Sequence, residues 1–75
     1  MKIHINGEPL NLQQTNNKDL APNITDALRQ YLSPKQQEMS FALALNSDFV
    51  NKSQYASTRL NDGDSIDVLF PIHGG

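Results

Sequence analysis

Ile3 and Ile5 alternate with Lys2, His4 and Asn6 at the start of the chain, the period-two spacing of a strand with one buried face. Asn6-Gly7 follows, a dipeptide that accepts the positive φ angles of a two-residue hairpin turn. A second strand is therefore predicted, with Leu10 and Leu12 facing inward. Residues 13–22 are polar, rich in Asn and Gln and without usable period, which reads as a surface loop. The apolar spacing then lengthens: Ile24, Ala27, Leu28, Tyr31 and Leu32 recur as on one face of a helix. Asn23 is placed to cap it, and Asp26 sits in the first turn, where the helix dipole favours a carboxylate. Ser33-Pro34 ends or bends this helix, because proline disfavours helical geometry in the residue before it. Residues 35–40 are a connector with room for one helical turn.

Phe41-Ala42-Leu43-Ala44-Leu45-Asn46 alternates large and small side chains, which predicts a strand whose large face meets the helix. Asn46-Ser47-Asp48 is turn chemistry, Phe49-Val50 a short strand, and Ser53 through Ser57 a brief helical turn. Gly63 within Asn61-Asp62-Gly63-Asp64 marks a further turn. Ile66, Val68 and Phe70 then form the inward face of a last strand, leaving Leu69 on the opposite face. This order of elements predicts an α+β domain: a mixed β-sheet with one main helix packed across one face. One domain over residues 1–75 is expected, with residues 71–75 as a tail.

Composition narrows the functional classes. The 75 residues contain no cysteine, which excludes a disulfide scaffold, a thiolate metal site and a cysteine nucleophile or persulfide carrier within this chain. Eight carboxylates against six Lys and Arg give a net charge of −2, and the basic residues are scattered. That disfavours a phosphate-backbone footprint, so no nucleic-acid partner is expected. No apolar run approaches the roughly 18 to 20 residues that span a bilayer, and the N-terminus lacks a secretory apolar segment, so a cytoplasmic protein without membrane association is expected. No Gly-rich phosphate loop with its lysine is present.

The most distinctive chemistry lies at Gly74-Gly75. Two residues without Cβ form a thin, conformationally free thread able to enter a narrow channel, and its end carries the terminal carboxylate. Ahead of the glycines, Ala42-Leu43-Ala44-Leu45-Asn46, Val50, Asn51-Lys52-Ser53-Gln54-Tyr55, Leu60, Asp62-Gly63-Asp64 and Ile66 fall in an order that resembles the small ubiquitin-like β-grasp sulfur carriers of the ThiS/MoaD family, ThiS above all. The likeness covers roughly the C-terminal half, with weaker support from the first hairpin and Asn23-Ile24. Residues 13–22 and 34–40 look longer than is usual there, Asn51 stands where proline is common, and His73 precedes the glycines in place of a small or branched residue. Phe70-Pro71 is similar to MoaD, the molybdopterin relative.

The resemblance implies a β-grasp fold with a flexible C-terminal Gly-Gly tail, and a carrier that is not itself an enzyme. An E1-like, ThiF-like adenylating enzyme would use ATP and Mg²⁺ to activate Gly75. A persulfide donor would then supply sulfur, and the resulting thiocarboxylate would serve a ThiG-like thiazole synthase. Gly75 would carry the sulfur and Gly74 would let the tail pass; this chain itself would bind no cofactor or metal. Leu69, Phe70, Ile72 and His73 are the candidate docking residues beside the tail; parity favours Leu69 for contact and Phe70 for the core. His73 lacks the positioned partner that proton transfer needs, so it reads as a contact within a partner's channel. His4 reads as a solvated histidine, Asp62 and Asp64 as turn formers, and Ser53 and Thr58 as hydroxyls without an adjacent base. Three other readings share these residues: a MoaD-like carrier for molybdopterin synthesis, a ubiquitin-like modifier whose activated Gly75 is taken by a lysine amine, and an interaction module with incidental glycines.

Overall fold

Asn6 and Gly7 take φ angles of 52° and 80°, the left-handed pair that matches the twist of two antiparallel strands, and so close a hairpin between β1 (Lys2–Ile5) and β2 (Glu8–Asn11). These elements belong to a computed structural model that describes residues 1–13 and 20–71. The remaining strands are β3 (Ala42–Leu45), β4 (Asp48–Phe49) and β5 (Ser65–Leu69). They form one five-stranded sheet in the order β2-β1-β5-β3-β4. β5 is the middle strand, parallel to β1 and antiparallel to β3. The sheet is therefore mixed, as the order of elements predicts.

The main helix, α1 (Ile24–Tyr31), opens on a reciprocal cap: Asp26 N donates to Asn23 Oδ1 at 2.8 Å, and Asn23 N donates to Asp26 Oδ2 at 2.9 Å. Two of the helix's otherwise unpaired N-terminal donors are thus satisfied. Its apolar stripe of Ile24, Ala27 and Leu28, continued by Leu32, packs on Ile3, Ile5, Leu43, Ile66 and Val68 of the sheet, with Leu12, Tyr55 and Leu60 closing the core. Gln30 ties the helix to the end of β2, donating from Nε2 to Asn11 O at 2.6 Å and accepting from Gln13 N at 3.1 Å. Leu10 is half-buried and Leu12, one residue past the strand, is buried.

The structure refines three boundaries. Pro34 both stops α1 and starts a one-turn helix, α2 (Pro34–Gln37), capped by Ser33 and Gln36; proline at the first helical position loses no hydrogen bond there. The brief turn in the second half is a 3₁₀ helix over Lys52–Gln54. The last strand ends at Leu69, not Phe70, because its partner β3 begins at Ala42 and Ala42 pairs with Leu69. The Asn61 to Asp64 turn is held by its own carboxylates: Lys2 N donates to Asp62 Oδ1 at 2.7 Å and Asn61 N to Asp64 Oδ2 at 2.8 Å. Among the described residues no group of His, Asp or Glu is arranged to hold a metal ion.

Candidate functional site

Helix α1 covers one face of the sheet and leaves the other open. Directly paired residues share a face, so the register assigns Lys2 and His4 of β1, Ser65, Asp67 and Leu69 of β5, Ala42 and Ala44 of β3, and Phe49 of β4 to this open side. Its apolar members lie towards the β3 side: Phe49 is 75% exposed and Leu69 53% exposed, with Ala42 also exposed between them. Ala44, on the same side, is buried although it lies outside the core cluster. Single exposed apolar side chains are ordinary on a protein surface, but here two large ones share a sheet face beside the tail. Phe49 is the member that parity reasoning passed over; its signal was its position just after the Asn46-Ser47 turn, on an edge strand of two residues.

The root of the tail adjoins this face. Leu69 faces out, while Phe70 is half-buried and packs against the core. Phe70 meets Phe41 edge-on with ring centroids 5.5 Å apart, and Phe41 lies parallel to Tyr55 at 6.4 Å. Ser40, Phe41, Ala42, Leu69, Phe70 and Pro71 line a shallow depression of about 420 Å³ at this point. Of the candidate docking residues read from the sequence, the structure places Leu69 on the open face and Phe70, next to it, against the core. Ile72, His73, Gly74 and Gly75 lie outside the described residues. His4 is exposed on the open face.

β5 is held on both sides. On the β1 side His4 N donates to Asp64 O and Asn6 N to Ile66 O, each at 2.9 Å. The ladder then runs past the end of β1 through a side chain, with Val68 N donating to Asn6 Oδ1 at 2.8 Å. At the other end, Ser65 N donates to Asn46 Oδ1 at 3.0 Å and Asn46 Nδ2 to Asp64 Oδ1 at 3.1 Å. Asparagine side chains in two tight turns therefore frame the strand that leads to the tail. Burial raises the Tyr31 phenol above its ordinary 10.0, the hydrogen bond to Glu8 and that carboxylate's charge add to the effect, and the Asn6 side chain opposes it in part. Burial alone raises Tyr55.

A mixed five-stranded sheet with its last strand in the middle and a single main helix across one face define a ubiquitin-like β-grasp domain. Solved structures agree. The crystal structure of a thiamine biosynthesis protein (ThiS) from Geobacter metallireducens matches with a TM-score of 0.72 and 21% identity, covering 100% of both chains. The solution structure of a thiamine biosynthesis protein from the same organism matches with a TM-score of 0.68 and 21% identity, over 100% of this chain and 88% of that one. No curated protein matches the sequence. The ThiS family model matches residues 3–75, and the chain belongs to that family. No helix among the described residues is long and apolar enough to cross a membrane.

Proposed function

We propose that this chain is the sulfur carrier of a thiamine thiazole pathway and that its working group is the Gly75 carboxylate. The observation that carries this reading is the family match, which runs through the terminal Gly74-Gly75; the ordered root beside an open, partly apolar sheet face supports it. A carboxylate resists nucleophiles because its charge is delocalised and oxide is a poor leaving group. An adenylating enzyme of the ThiF kind, using ATP and Mg²⁺, converts it to an acyl adenylate with release of pyrophosphate. The terminal sulfur of a persulfide attacks the acyl carbon and AMP leaves, giving an acyl disulfide. A thiol then attacks the donor's sulfur in that disulfide, which frees the Gly75 thiocarboxylate and leaves donor and thiol joined as a disulfide. A ThiG-like thiazole synthase takes sulfur from the thiocarboxylate and the carrier is reset. Phosphate binding and magnesium belong to the adenylating partner, and this chain's part is to present its tail and a docking face that includes Leu69.

Intact mass after incubation with ATP, Mg²⁺, an adenylating enzyme and a persulfide source tests the reading. Exchange of oxygen for sulfur adds about 16 Da, nearly the same as methionine oxidation, so fragmentation must place the gain on Gly75 and not on Met1 or Met39. A gain on Gly75, absent from a chain lacking that residue, is expected. No gain with an enzyme active on another carrier overturns the proposal; conjugation to lysines would instead assign a modifier, and transfer only to a molybdopterin synthase the other carrier branch.

A further inference from the structure

We propose that Phe41 is a positioning residue for the tail: through Phe70 it sets the direction in which the chain leaves the sheet at Pro71. The proposal rests on the carrier reading above. The β5 ladder ends at the Leu69–Ala42 pair. Beyond it, Phe70 and Pro71 make no backbone hydrogen bond to any described residue. What holds the root at that point is a stack of three rings: Phe70 edge-on to Phe41 at 5.5 Å and 64°, and Phe41 parallel to Tyr55 at 6.4 Å and 9°. Tyr55 is buried, with 8% of its surface exposed, and its N–H is bound to Lys52 O at 3.2 Å. The innermost ring is thus fixed in the core, the outermost belongs to the root, and Phe41 joins them.

An edge-to-face pair favours its own geometry by a factor of about 2 to 10 over an unlocked side chain. Without it the root samples a wider cone, and the fraction of chains presenting the tail to a partner's channel falls. A smaller competent fraction weakens apparent affinity in proportion and leaves the bound complex unchanged. Losing the Phe41 ring should therefore raise KM for the adenylating enzyme about 2- to 10-fold while kcat stays near wild type.

The test is ATP–pyrophosphate exchange with the adenylating partner, using Phe41→Leu, Phe70→Leu, the double variant and Phe41→Tyr, alongside backbone amide order parameters at Phe70. The expected result is a raised KM and a lower Phe70 order parameter in Phe41→Leu, no further rise in the double variant, and recovery of both in Phe41→Tyr, which keeps the ring. A Phe41→Leu chain that loses melting temperature but keeps its KM and its Phe70 order parameter would overturn the proposal. So would a raised KM confined to variants lacking Phe70, which would make Phe70 a direct partner contact. If the wild-type chain supports no exchange at all, the carrier reading fails instead, and the Phe70 order parameter alone decides whether Phe41 fixes the root.

Discussion

Two of the structural tasks of Asn6 can be separated by substitution. Its backbone occupies the left-handed region at φ 52°, and its Oδ1 accepts the Val68 N–H at 2.8 Å. Val68 is 5% exposed, so its amide cannot turn fully to water when that acceptor is lost. Leaving a partly buried donor unpaired costs about 1.5 kcal/mol, within the usual range for such groups. Asn6→Gly keeps the turn and loses the acceptor, and glycine's extra freedom in the unfolded chain adds about 0.5 kcal/mol, for a total near 2 kcal/mol. Asn6→Ala loses the same bond and places a Cβ without a compensating polar group in the left-handed region, adding about 1 to 2 kcal/mol, for a total near 3 kcal/mol. A domain of this size has a total stability of about 4 to 11 kcal/mol, so both losses are large, and at about 4 to 8 °C per kcal/mol the glycine variant should melt roughly 10 °C lower. Urea unfolding followed by circular dichroism at unchanged m-value gives the totals, and amide exchange at Val68 gives the local effect. An Asn6→Gly chain within about 0.5 kcal/mol of wild type, or one as unstable as Asn6→Ala, would refute this division between hydrogen bond and backbone strain.

Two further outcomes are expected. Leu69→Ser removes an apolar side chain that is already 53% exposed; stability should change by no more than about 0.5 kcal/mol. If the open face docks the adenylating enzyme, the same change should raise its KM about 10-fold, and an unchanged KM would remove Leu69 from the docking surface. At alkaline pH the two phenols fix the sign of their contribution to stability. Tyr31 and Tyr55 both titrate above 10.0 in the folded chain, so the folded state binds these protons more tightly than the unfolded state. Their contribution is fully present below about pH 10 and is lost as pH rises through the folded-state values. Ultraviolet titration of the phenolate band should show the raised values, and denaturation on either side of about pH 10 should show the loss, flattened in Tyr31→Phe and Tyr55→Phe; level stability through that range would contradict it.

The parts of the fold that sequence made legible are those decided by neighbours along the chain. Ile3 and Ile5 alternate with polar residues and Asn6-Gly7 can turn, so the first hairpin needs no distant information. Asn23 and Asp26 stand at capping spacing before an apolar stripe, and the helix starts where they place it. The same spacing recurs in Ser33 and Gln36, where the stop signal of Pro34 masked a second helix start that proline at the first position also permits. Strand ends are less legible because a ladder needs a partner. Phe70 has the parity of Ile66 and Val68, yet the ladder ends at the Leu69–Ala42 pair, and Phe41, next in register, meets Phe70 through its ring. The Asn6 to Val68 bond spans 62 positions, and nothing local to either residue announces it. For the site, Leu69's facing followed from parity, whereas Phe49 required knowing that a two-residue strand would lie at the sheet's edge.

The placement of β5 explains how the strand leading to the candidate tail is anchored in so small a domain. An edge strand is the easiest to fray, because one side has no ladder and water competes for its open groups. Here the strand leading to the tail is the middle one, paired with β1 and β3, with Ile66 and Val68 in the core. Pulling on the tail therefore loads two ladders and the core together, while the edges, β2 and the two-residue β4, stand away from it. The arrangement also makes the two faces unequal. The helix occupies the face of Ile66 and Val68, so Leu69, the last paired residue, faces the uncovered side. On the proposed carrier reading, a partner gripping the open face would meet Leu69 and the end of β5 at the edge of the same surface, with no rearrangement of the core required.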